Sequence, residues 1–273
     1  MTTTGRLAAF GTTIFVEMSA LAVRHGAVNL GQGFPDTDGP QEVLDAAVAA
    51  ILGGQNQYAP GPGIPALRRA IAEHQKDWYG LDYDPDSEVL VTAGATEALT
   101  AAIIALTEPG DEVVMLEPYY DSYAAAIALA GAVHRPVRLA APQAPGARWN
   151  FDEDAFRAAI GPRTRLILLN SPHNPTGFVA TPDELAVVAE VAQEHDLIVL
   201  TDEVYEHLVF SDAASQHVPL ATLPGMRERT VLISSAGKTF STTGWKIGWV
   251  CSTPELVAAV TGVKQFLTYT NAA

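Results

Sequence analysis

The feature that most constrains the fold of this chain is a series of short apolar runs, each bounded by polar or turn-forming residues. The runs are EVLVTAG, DEVVMLEP, AVHRPVRL, TRLILLNSP, DLIVLTDEV, RTVLISSAG and KIGWVCS. Continuous apolar runs of this length are typical of strands that are buried on both faces of a sheet. Segments with helical spacing of apolar residues, such as ATEALTAAIIALTE and TPDELAVVAEVAQEH, lie between several of them. The alternation predicts an α/β fold, with a mostly parallel sheet and helices on both of its faces.

Composition narrows the class of ligand. The chain is 48% hydrophobic and 17% charged over 273 residues, which is enough apolar material for a sizeable core. Its net charge of −15 disfavours nucleic acid or an anionic membrane as a partner, so an anionic ligand must be bound locally. The single cysteine, Cys251, excludes an internal disulfide framework and fits a reducing compartment. No apolar run is long enough to span a bilayer, and we expect a cytoplasmic protein.

Polar residues follow several of the predicted strands. In parallel sheets, ligands bind in the crevice at the carboxyl ends of the strands. The groups expected there are Gly94-Ala95-Thr96, which opens a helix and suits a phosphate, then Asn170, Asp202 with Tyr205, and Ser234 and Ser235 with Lys238. This combination predicts a site for a phosphorylated aromatic cofactor, with the amine close to its reactive atom.

The segment SSAGKTFSTTGWKIGW, from Ser234 to Trp249, contains two of the four lysines of the chain, Lys238 and Lys246. A free lysine amine is almost fully protonated at neutral pH, whereas a Schiff base with an aldehyde is far less basic. Pyridoxal phosphate forms such a bond, and it acts as an electron sink while a carboxylate keeps its ring nitrogen protonated. Asp202 fits that requirement, because a carboxylate after a buried strand would be costly without a cationic partner.

Five segments of the chain resemble one family, and they occur in that family's order. AGKTFSTTGWKIGW, NSPHNPTG, DEVYEHLVF, GATEAL and NLGQGFPD are similar to the fold-type-I pyridoxal-phosphate-dependent aminotransferases. The most similar branch contains kynurenine/glutamine transaminases and succinyldiaminopimelate aminotransferases. The likeness runs from about Thr12 to the last residue. It implies an enzyme that uses pyridoxal 5'-phosphate to move an amino group from an amino acid to a 2-oxo acid.

The resemblance also implies roles for residues around the cofactor phosphate and the reactive aldehyde. Lys238 would form the Schiff base and then carry the α-proton. Lys246 would bind the phosphate together with Ser235 and the backbone of Ala95 and Thr96.

Further roles follow for residues around the ring and the substrate. Asp202 would pair with the pyridinium nitrogen, Asn174 and Tyr205 would donate to the phenolic oxygen, and Tyr120 would stack on the ring. The resemblance adds Asn170 as a second asparagine at the site, Gly33 in a loop beside the substrate carboxylate, and Tyr58, which would reach the cofactor of a neighbouring subunit and so implies a homodimer.

The domain organisation is expected to follow the same family. GQGFPDTDGP separates an N-terminal arm, residues 1–35, from a cofactor-binding large domain, residues 36–273. Members of the family continue beyond the position of Ala273 into a C-terminal small domain, which carries the arginine for the substrate carboxylate, so we expect that domain to be missing here. Two alternatives therefore stay open: a truncated, cofactor-binding but catalytically weak fragment, and a β-lyase that acts on cysteine conjugates.

Each candidate also has a plainer interpretation when it is taken alone. Lys238 and Lys246 are compatible with solvated charges, Asn174 with a turn residue before proline, and Tyr58 with packing in a Gly/Pro-rich loop. The seven histidines are scattered without H-x-x-x-H spacing, and no G-x-S-x-G occurs. Spacing along the sequence therefore predicts neither a metal site nor a serine nucleophile.

Overall fold

The computed structural model describes residues 5–33, 35–211, 213 and 215–270. It contains one sheet of seven strands, at the seven positions that the apolar runs predict. The strands are β1 Val89–Ala93, β2 Glu112–Glu117, β3 Val133–Arg138, β4 Thr164–Asn170, β5 Ile198–Asp202, β6 Thr230–Ser235 and β7 Ile247–Cys251.

The α-helices in the described part of the chain are α1 Ile14–His25, α2 Gln41–Leu52, α3 Pro65–Tyr79, α4 Gly94–Leu106, α5 Ser122–Ala130, α6 Glu153–Ala159, α7 Pro182–Glu194, α8 Ala236–Thr239 and α9 Pro254–Leu267. Short 3-10 helices occur at Gly5–Leu7, Leu220–Thr222, Arg227–Arg229 and Thr243–Trp245. α7 and α9 each begin with a Thr-Pro pair, in which the threonine is the N-cap and the proline the first helical residue. In α7, Thr181 and Glu184 form a capping box, in which each side chain accepts a hydrogen bond from the other residue's backbone N–H.

The strands lie in the order β1-β7-β6-β5-β4-β2-β3. Neighbouring strands from β6 to β3 are parallel, which confirms the mostly parallel sheet. β7 is antiparallel to both β1 and β6, a detail that the sequence pattern did not predict. Its direction follows from the connection, because residues 236–246 form only short helical turns and a parallel crossover needs a dozen or more residues.

Helices cover both faces of the sheet. On one face, α4, α5 and α9 pack over Leu90, Met115, Leu168 and other strand residues. On the other face, α6 and α7 pack over residues such as Val114, and α3 packs over the β1 and β7 end. Cys251 is buried in that last cluster as a free thiol. Among the described residues, no helix has the length and apolar character that crossing a membrane requires.

The N-terminal region differs from the rest of the fold. Neither α1 nor α2 contains a buried residue, and Val23 and Leu52 are more than 80% exposed. No helix or strand occurs among the described residues between Gly26 and Pro40. This region lies beside the carboxyl ends of the central strands, since Gly33 contacts Lys238 there.

Candidate active site

A cavity of about 520 Å³ opens at the carboxyl ends of the parallel strands. Its walls come from the ends of β5 and β6, the turn after β4, the first residues of α4, and the segment that precedes residue 34. The cavity brings together ten of the predicted site residues: Gly33, Ala95, Thr96, Tyr120, Asn174, Asp202, Tyr205, Ser235, Lys238 and Lys246.

One end of the cavity is suited to an anion. α4 begins at Gly94, whose φ of +75° allows the chain to turn sharply from β1 into the helix. The Nζ atom of Lys246 lies so close to this turn that a Cβ added to Gly94 would be 3.1 Å from it. A cation at a helix N-terminus is electrostatically unfavourable, because that end of the helix dipole is positive. An anion bound between the ammonium group and the N–H groups of Ala95 and Thr96 would satisfy both.

A glycine on β7 makes this arrangement possible. A Cβ on Gly248 would lie 2.5 Å from the carbonyl carbon of Gly94 and 2.6 Å from the nitrogen of Ala95. Only a residue without a side chain lets β7 approach the start of α4 so closely. The segment GWKIGW therefore contains both Lys246 and Gly248, the glycine that lets β7 lie close to the start of α4.

At the other end of the cavity lies a buried carboxylate without a cationic partner. Asp202 is 4% exposed, and it accepts hydrogen bonds from the hydroxyl of Tyr123 at 2.6 Å and from the N–H of Val204 at 3.3 Å. Within the described residues, it forms no ion pair with a lysine, arginine or histidine. Burial raises the pKa of Asp202 to about 6, although the hydrogen bond from Tyr123 acts in the opposite direction. A cationic group in the cavity would reverse that shift.

Lys238 lies in the same cavity, in the single turn of α8 that follows β6. Its amine donates a hydrogen bond to the carbonyl of Gly33 at 2.7 Å and lies 5.7 Å from the ring centroid of Tyr205. Burial lowers the pKa of Lys238, and the charge of Lys246 acts in the same direction, while Asp202 opposes both. The site therefore favours the neutral, nucleophilic form of this amine more than water does.

Two side chains form a pair of donors beside Lys238. The amide nitrogen of Asn174 donates to the hydroxyl of Tyr205 at 3.3 Å. Burial raises the pKa of Tyr205 to about 12, so its phenol keeps its proton at neutral pH. Tyr120 lies on another wall, with its ring edge-on to Tyr123 at a centroid distance of 5.6 Å.

Two predicted site residues do not line the cavity. Asn170 is buried beneath it, where its amide donates to the carbonyls of Pro172 and Asp202 and accepts from the N–H of Asn174. Its contacts hold the turn after β4 in place. Tyr58 is 83% exposed and stacks edge-on against Tyr269.

The structure adds residues that sequence reasoning missed. Tyr123 is the main one, because its hydroxyl is the closest donor to Asp202. The segment EPYYDSY could have indicated it, because Tyr123 lies three residues after Tyr120 and a buried tyrosine hydroxyl needs a hydrogen-bond partner. Phe15, Leu30, Gln32 and Thr243 also line the cavity. The last three lie within the segments NLGQGFPD and AGKTFSTTGWKIGW, but sequence reasoning gave them no role, and Phe15 lies in none of the five segments.

The cavity fits pyridoxal phosphate on the chemistry of its donors. Lys246 and the start of α4 suit a phosphate group, and the unpaired Asp202 suits a protonated ring nitrogen. Lys238 offers a covalent attachment point between these two ends.

Comparison with known proteins points to the same chemistry. The family model described as aminotransferase class I and II matches residues 25–273. A probable N-succinyldiaminopimelate aminotransferase from Mycobacterium tuberculosis is 57% identical over 272 residues, which is 99% of this chain and 67% of that protein. The methionine aminotransferase of Escherichia coli is 46% identical over 97% of this chain and 67% of its own length.

Solved structures agree with these sequence matches. The N-succinyldiaminopimelate aminotransferase of Mycobacterium tuberculosis superposes with a TM-score of 0.95 at 56% identity, covering 98% of this chain and 69% of that one. The aspartate aminotransferase of Thermus thermophilus with maleate gives a TM-score of 0.89 at 36% identity, over 99% of this chain and 69% of that one. The chain thus spans about two thirds of the length of these relatives.

Proposed function

Because the chain belongs to the class I and II aminotransferases, which depend on pyridoxal phosphate, we propose that it moves an amino group from an amino acid to a 2-oxo acid. The observation that carries this proposal is that Lys238 and the uncompensated carboxylate of Asp202 share one cavity with an anion site. An amine, a carboxylate and an anion site together match the cofactor's aldehyde, ring nitrogen and phosphate.

The phosphate is bound by Lys246, by Ser235 and by the backbone N–H groups of Ala95 and Thr96. Support comes from the close approach of the Lys246 amine to the first turn of α4. Lys246 also has a left-handed backbone, with a φ of +57°, a conformation that is unfavourable for a residue other than glycine and that clusters at ligand-binding sites.

Asp202 would hold the ring nitrogen, Tyr120 would pack against the ring, and Asn174 and Tyr205 would donate to its phenolic oxygen. The hydrogen bond from Tyr123 keeps the Asp202 carboxylate in one orientation. Asn170 acts indirectly, by fixing the backbone of the turn that carries Asn174.

Lys238 carries the cofactor at rest and moves the proton during the reaction. Bound pyridoxal phosphate supplies an electron sink for the charge left on the substrate α-carbon. The lowered pKa of Lys238 favours the free amine, which can take the proton from that carbon and return it elsewhere. The carbonyl of Gly33, which accepts a hydrogen bond from the Lys238 amine, borders the place where the substrate carboxylate lies.

The proposal is tested by trapping the attachment. Pyridoxal phosphate is added to the purified protein, the mixture is reduced with borohydride, and the digested peptides are sequenced by mass spectrometry. We expect one pyridoxyl label, on Lys238, in the wild type and in the exposed-lysine control Lys76→Ala. A label spread equally over Lys76 and Lys264, with none on Lys238, would contradict the proposal.

The reaction type is tested on the same preparation. N-succinyldiaminopimelate, methionine and kynurenine, which occur in the names of relatives, serve as amino donors with and without a 2-oxo acid acceptor. Transamination requires the acceptor. Pyruvate released from a cysteine conjugate without an acceptor would indicate the β-lyase instead, and a label on Lys238 without either activity would indicate a fragment that only binds the cofactor.

The proposal extends to assembly. Exposed apolar side chains on α1, among them Val16 and Val23, support an N-terminal arm, residues 1–35, that packs against another surface in a homodimer. The exposure of Tyr58 is consistent with a contact to a partner's cofactor. The buried free thiol of Cys251 is compatible with a cytoplasmic location. Light scattering during size-exclusion chromatography checks the dimer.

A further inference from the structure

A second cluster of polar side chains lies behind the loop that follows β5, and it is separate from the cofactor cavity. His74 belongs to α3, while Glu206 and His207 follow β5. The Nε2 atoms of the two histidines are 2.8 Å apart, and the Oε2 atom of Glu206 lies 3.9 Å from that of His74 and 4.0 Å from that of His207. We propose that these three side chains form a binding site for a divalent transition-metal ion, with Zn²⁺ as the best fit.

The size of the cluster matches a metal site. A triangle of atoms with these three separations has a centre about 2.1 Å from each corner, which is the bond length of Zn²⁺ to imidazole nitrogen and carboxylate oxygen. In the metal-free protein the two nitrogens form a hydrogen bond with each other. They need to separate by about half an ångström to reach tetrahedral angles around the ion.

The carboxylate of Glu206 supplies an independent reason. Its side chain is 1% exposed, and its Oε1 atom accepts a hydrogen bond from Ser234 at 2.5 Å. Its Oε2 atom, which faces the histidines, has no hydrogen-bond partner among the residues that the structure describes. The phenol of Tyr79 lies near this carboxylate, since burial, the charge of Glu206 and its hydrogen-bonding capacity all raise the pKa of Tyr79, but it makes no well-aligned hydrogen bond to Oε2. A buried carboxylate oxygen without a donor is unfavourable, and a bound cation would satisfy it.

The site is accessible from one side. The side chains of His74 and His207 are 24% and 20% exposed, so an ion can enter from solvent and keep a water molecule as its fourth ligand. The indole of Trp78, which is 66% exposed, covers part of the opening with its ring centroid 4.7 Å from that of His207.

A residue behind His74 supports the same assignment. The amide nitrogen of Gln75 lies 3.4 Å from Nδ1 of His74, while the carboxamide oxygen of Gln75 is buried without a partner. Rotating this carboxamide by half a turn brings its oxygen to Nδ1, where it can accept the N–H of the ring. Histidine ligands in metal sites usually donate this second ring N–H to a carbonyl or carboxylate, which directs the free Nε2 lone pair at the metal.

A metal at this site would connect α3 to the back of the cofactor cavity. Glu206 follows Tyr205 directly, and its partner Ser234 precedes Ser235, and both Tyr205 and Ser235 line the cavity. The inference does not depend on the proposed function, since none of its three ligands lines the cavity. Spacing along the sequence does not predict a metal site, and the proposal differs from that expectation.

The test uses tag-free protein loaded with pyridoxal phosphate and dialysed, because free cofactor chelates divalent ions. Zn²⁺ binding is measured by calorimetry, and Co²⁺ binding by its visible absorption, which is intense when the ion has four ligands. We expect one ion per chain. His74→Gln and His207→Gln should each weaken binding by at least about 100-fold. Even the loss of a residue that only hydrogen-bonds to a metal ligand lowers metal affinity by about 10- to 100-fold. Ser234→Ala should weaken binding by about 10-fold.

The matched control is His195→Gln, because His195 is an exposed histidine at the end of α7 and is not one of the three clustered side chains. It should bind as the wild type does. Equal Zn²⁺ affinity in the wild type and in His74→Gln would overturn the proposal, and so would a wild type without the four-ligand Co²⁺ spectrum. Either result would mean that His74 and His207 form only a hydrogen bond. Circular dichroism of each metal-free variant verifies that it is folded.

Discussion

Two buried carboxylates lie at opposite strand ends of the sheet, and they differ in whether the chain supplies a cationic partner. Glu112, at the start of β2, accepts hydrogen bonds from Arg135 at 2.7 Å and from Arg163 at 2.6 Å, which lower its pKa to about 2. Asp202, at the end of β5, has a hydroxyl and a backbone N–H as donors, and burial raises its pKa to about 6. A depression of about 620 Å³ also lies beside Glu112, but its carboxylate is already neutralised.

The difference separates a structural carboxylate from a functional one. Glu112 has its counter-charges in the same chain, so it stabilises the fold without a ligand. Asp202 is about two pKa units above its ordinary value, which corresponds to roughly 3 kcal/mol of unfavourable free energy when it is ionised. A shift of this kind in a cavity is typical of a functional site, where a ligand supplies the missing cation.

The largest effect is expected on catalysis. Asp202→Asn keeps the size of the side chain but removes the charge that holds a ring proton on the cofactor, so transaminase activity should fall by at least about 10³-fold. Glu112→Gln removes an equally buried charge and should leave kcat within a factor of about three, because it lies outside the cavity. Steady-state assays at saturating cofactor measure both. Similar losses in the two variants would remove the distinction between the carboxylates.

A smaller effect of opposite sign is expected on stability. The pKa of Asp202 is higher in the folded protein than in the unfolded chain, so its penalty is complete above about pH 6 and fades toward pH 4. Cofactor-free Asp202→Asn should therefore be more stable than the wild type by up to about 3 kcal/mol at pH 8, or about 6–10 °C in Tm. Thermal unfolding between pH 4 and 8 measures this. A gain that does not change with pH would argue against a buried, ionised Asp202.

The smallest effect is expected for Glu112→Gln. The pKa of Glu112 is lower in the folded protein, so its stabilisation is present above about pH 4.5 and is lost as the pH falls toward 2. Arg135 and Arg163 are 49% and 66% exposed, so solvent screens the pairs and the loss at pH 7 should be about 1 kcal/mol, or about 2–4 °C in Tm. The same thermal scans measure this, and the difference should narrow below pH 4. No loss at pH 7 would mean that the arginines contribute nothing.

Much of this architecture could be predicted from sequence. The runs of the sequence located all seven strands. For most of them the reason is that burial on both faces demands continuous hydrophobic residues, whereas β3 is a largely exposed edge strand. The polar residues at strand ends located most of the cavity, because parallel strands bring their carboxyl ends to one edge. The direction of β7 was not predicted, because the sequence pattern did not show that residues 236–246 form only short helical turns and no crossover helix.

The unpredicted parts depend on contacts between distant segments. Tyr123 reaches Asp202 across 79 positions, and His74 meets His207 across 133. The spacing of residues within a short sequence motif cannot reveal contacts between residues this far apart. At Asn170 a local pattern suggested too much. Its position at the end of β4 predicted a cofactor contact, but its amide bonds backbone groups beneath the cavity.

The central claim, that Asp202 is left without a cation so that it can hold a protonated cofactor ring, is tested most directly by nitrogen NMR. Protein is loaded with pyridoxal phosphate labelled with ¹⁵N in the ring, and the chemical shift is recorded at pH 8 for the wild type, Asp202→Asn and Glu112→Gln. We predict a protonated ring nitrogen in the wild type and in Glu112→Gln, and an unprotonated one in Asp202→Asn. The same nitrogen shift in all three proteins would contradict the account.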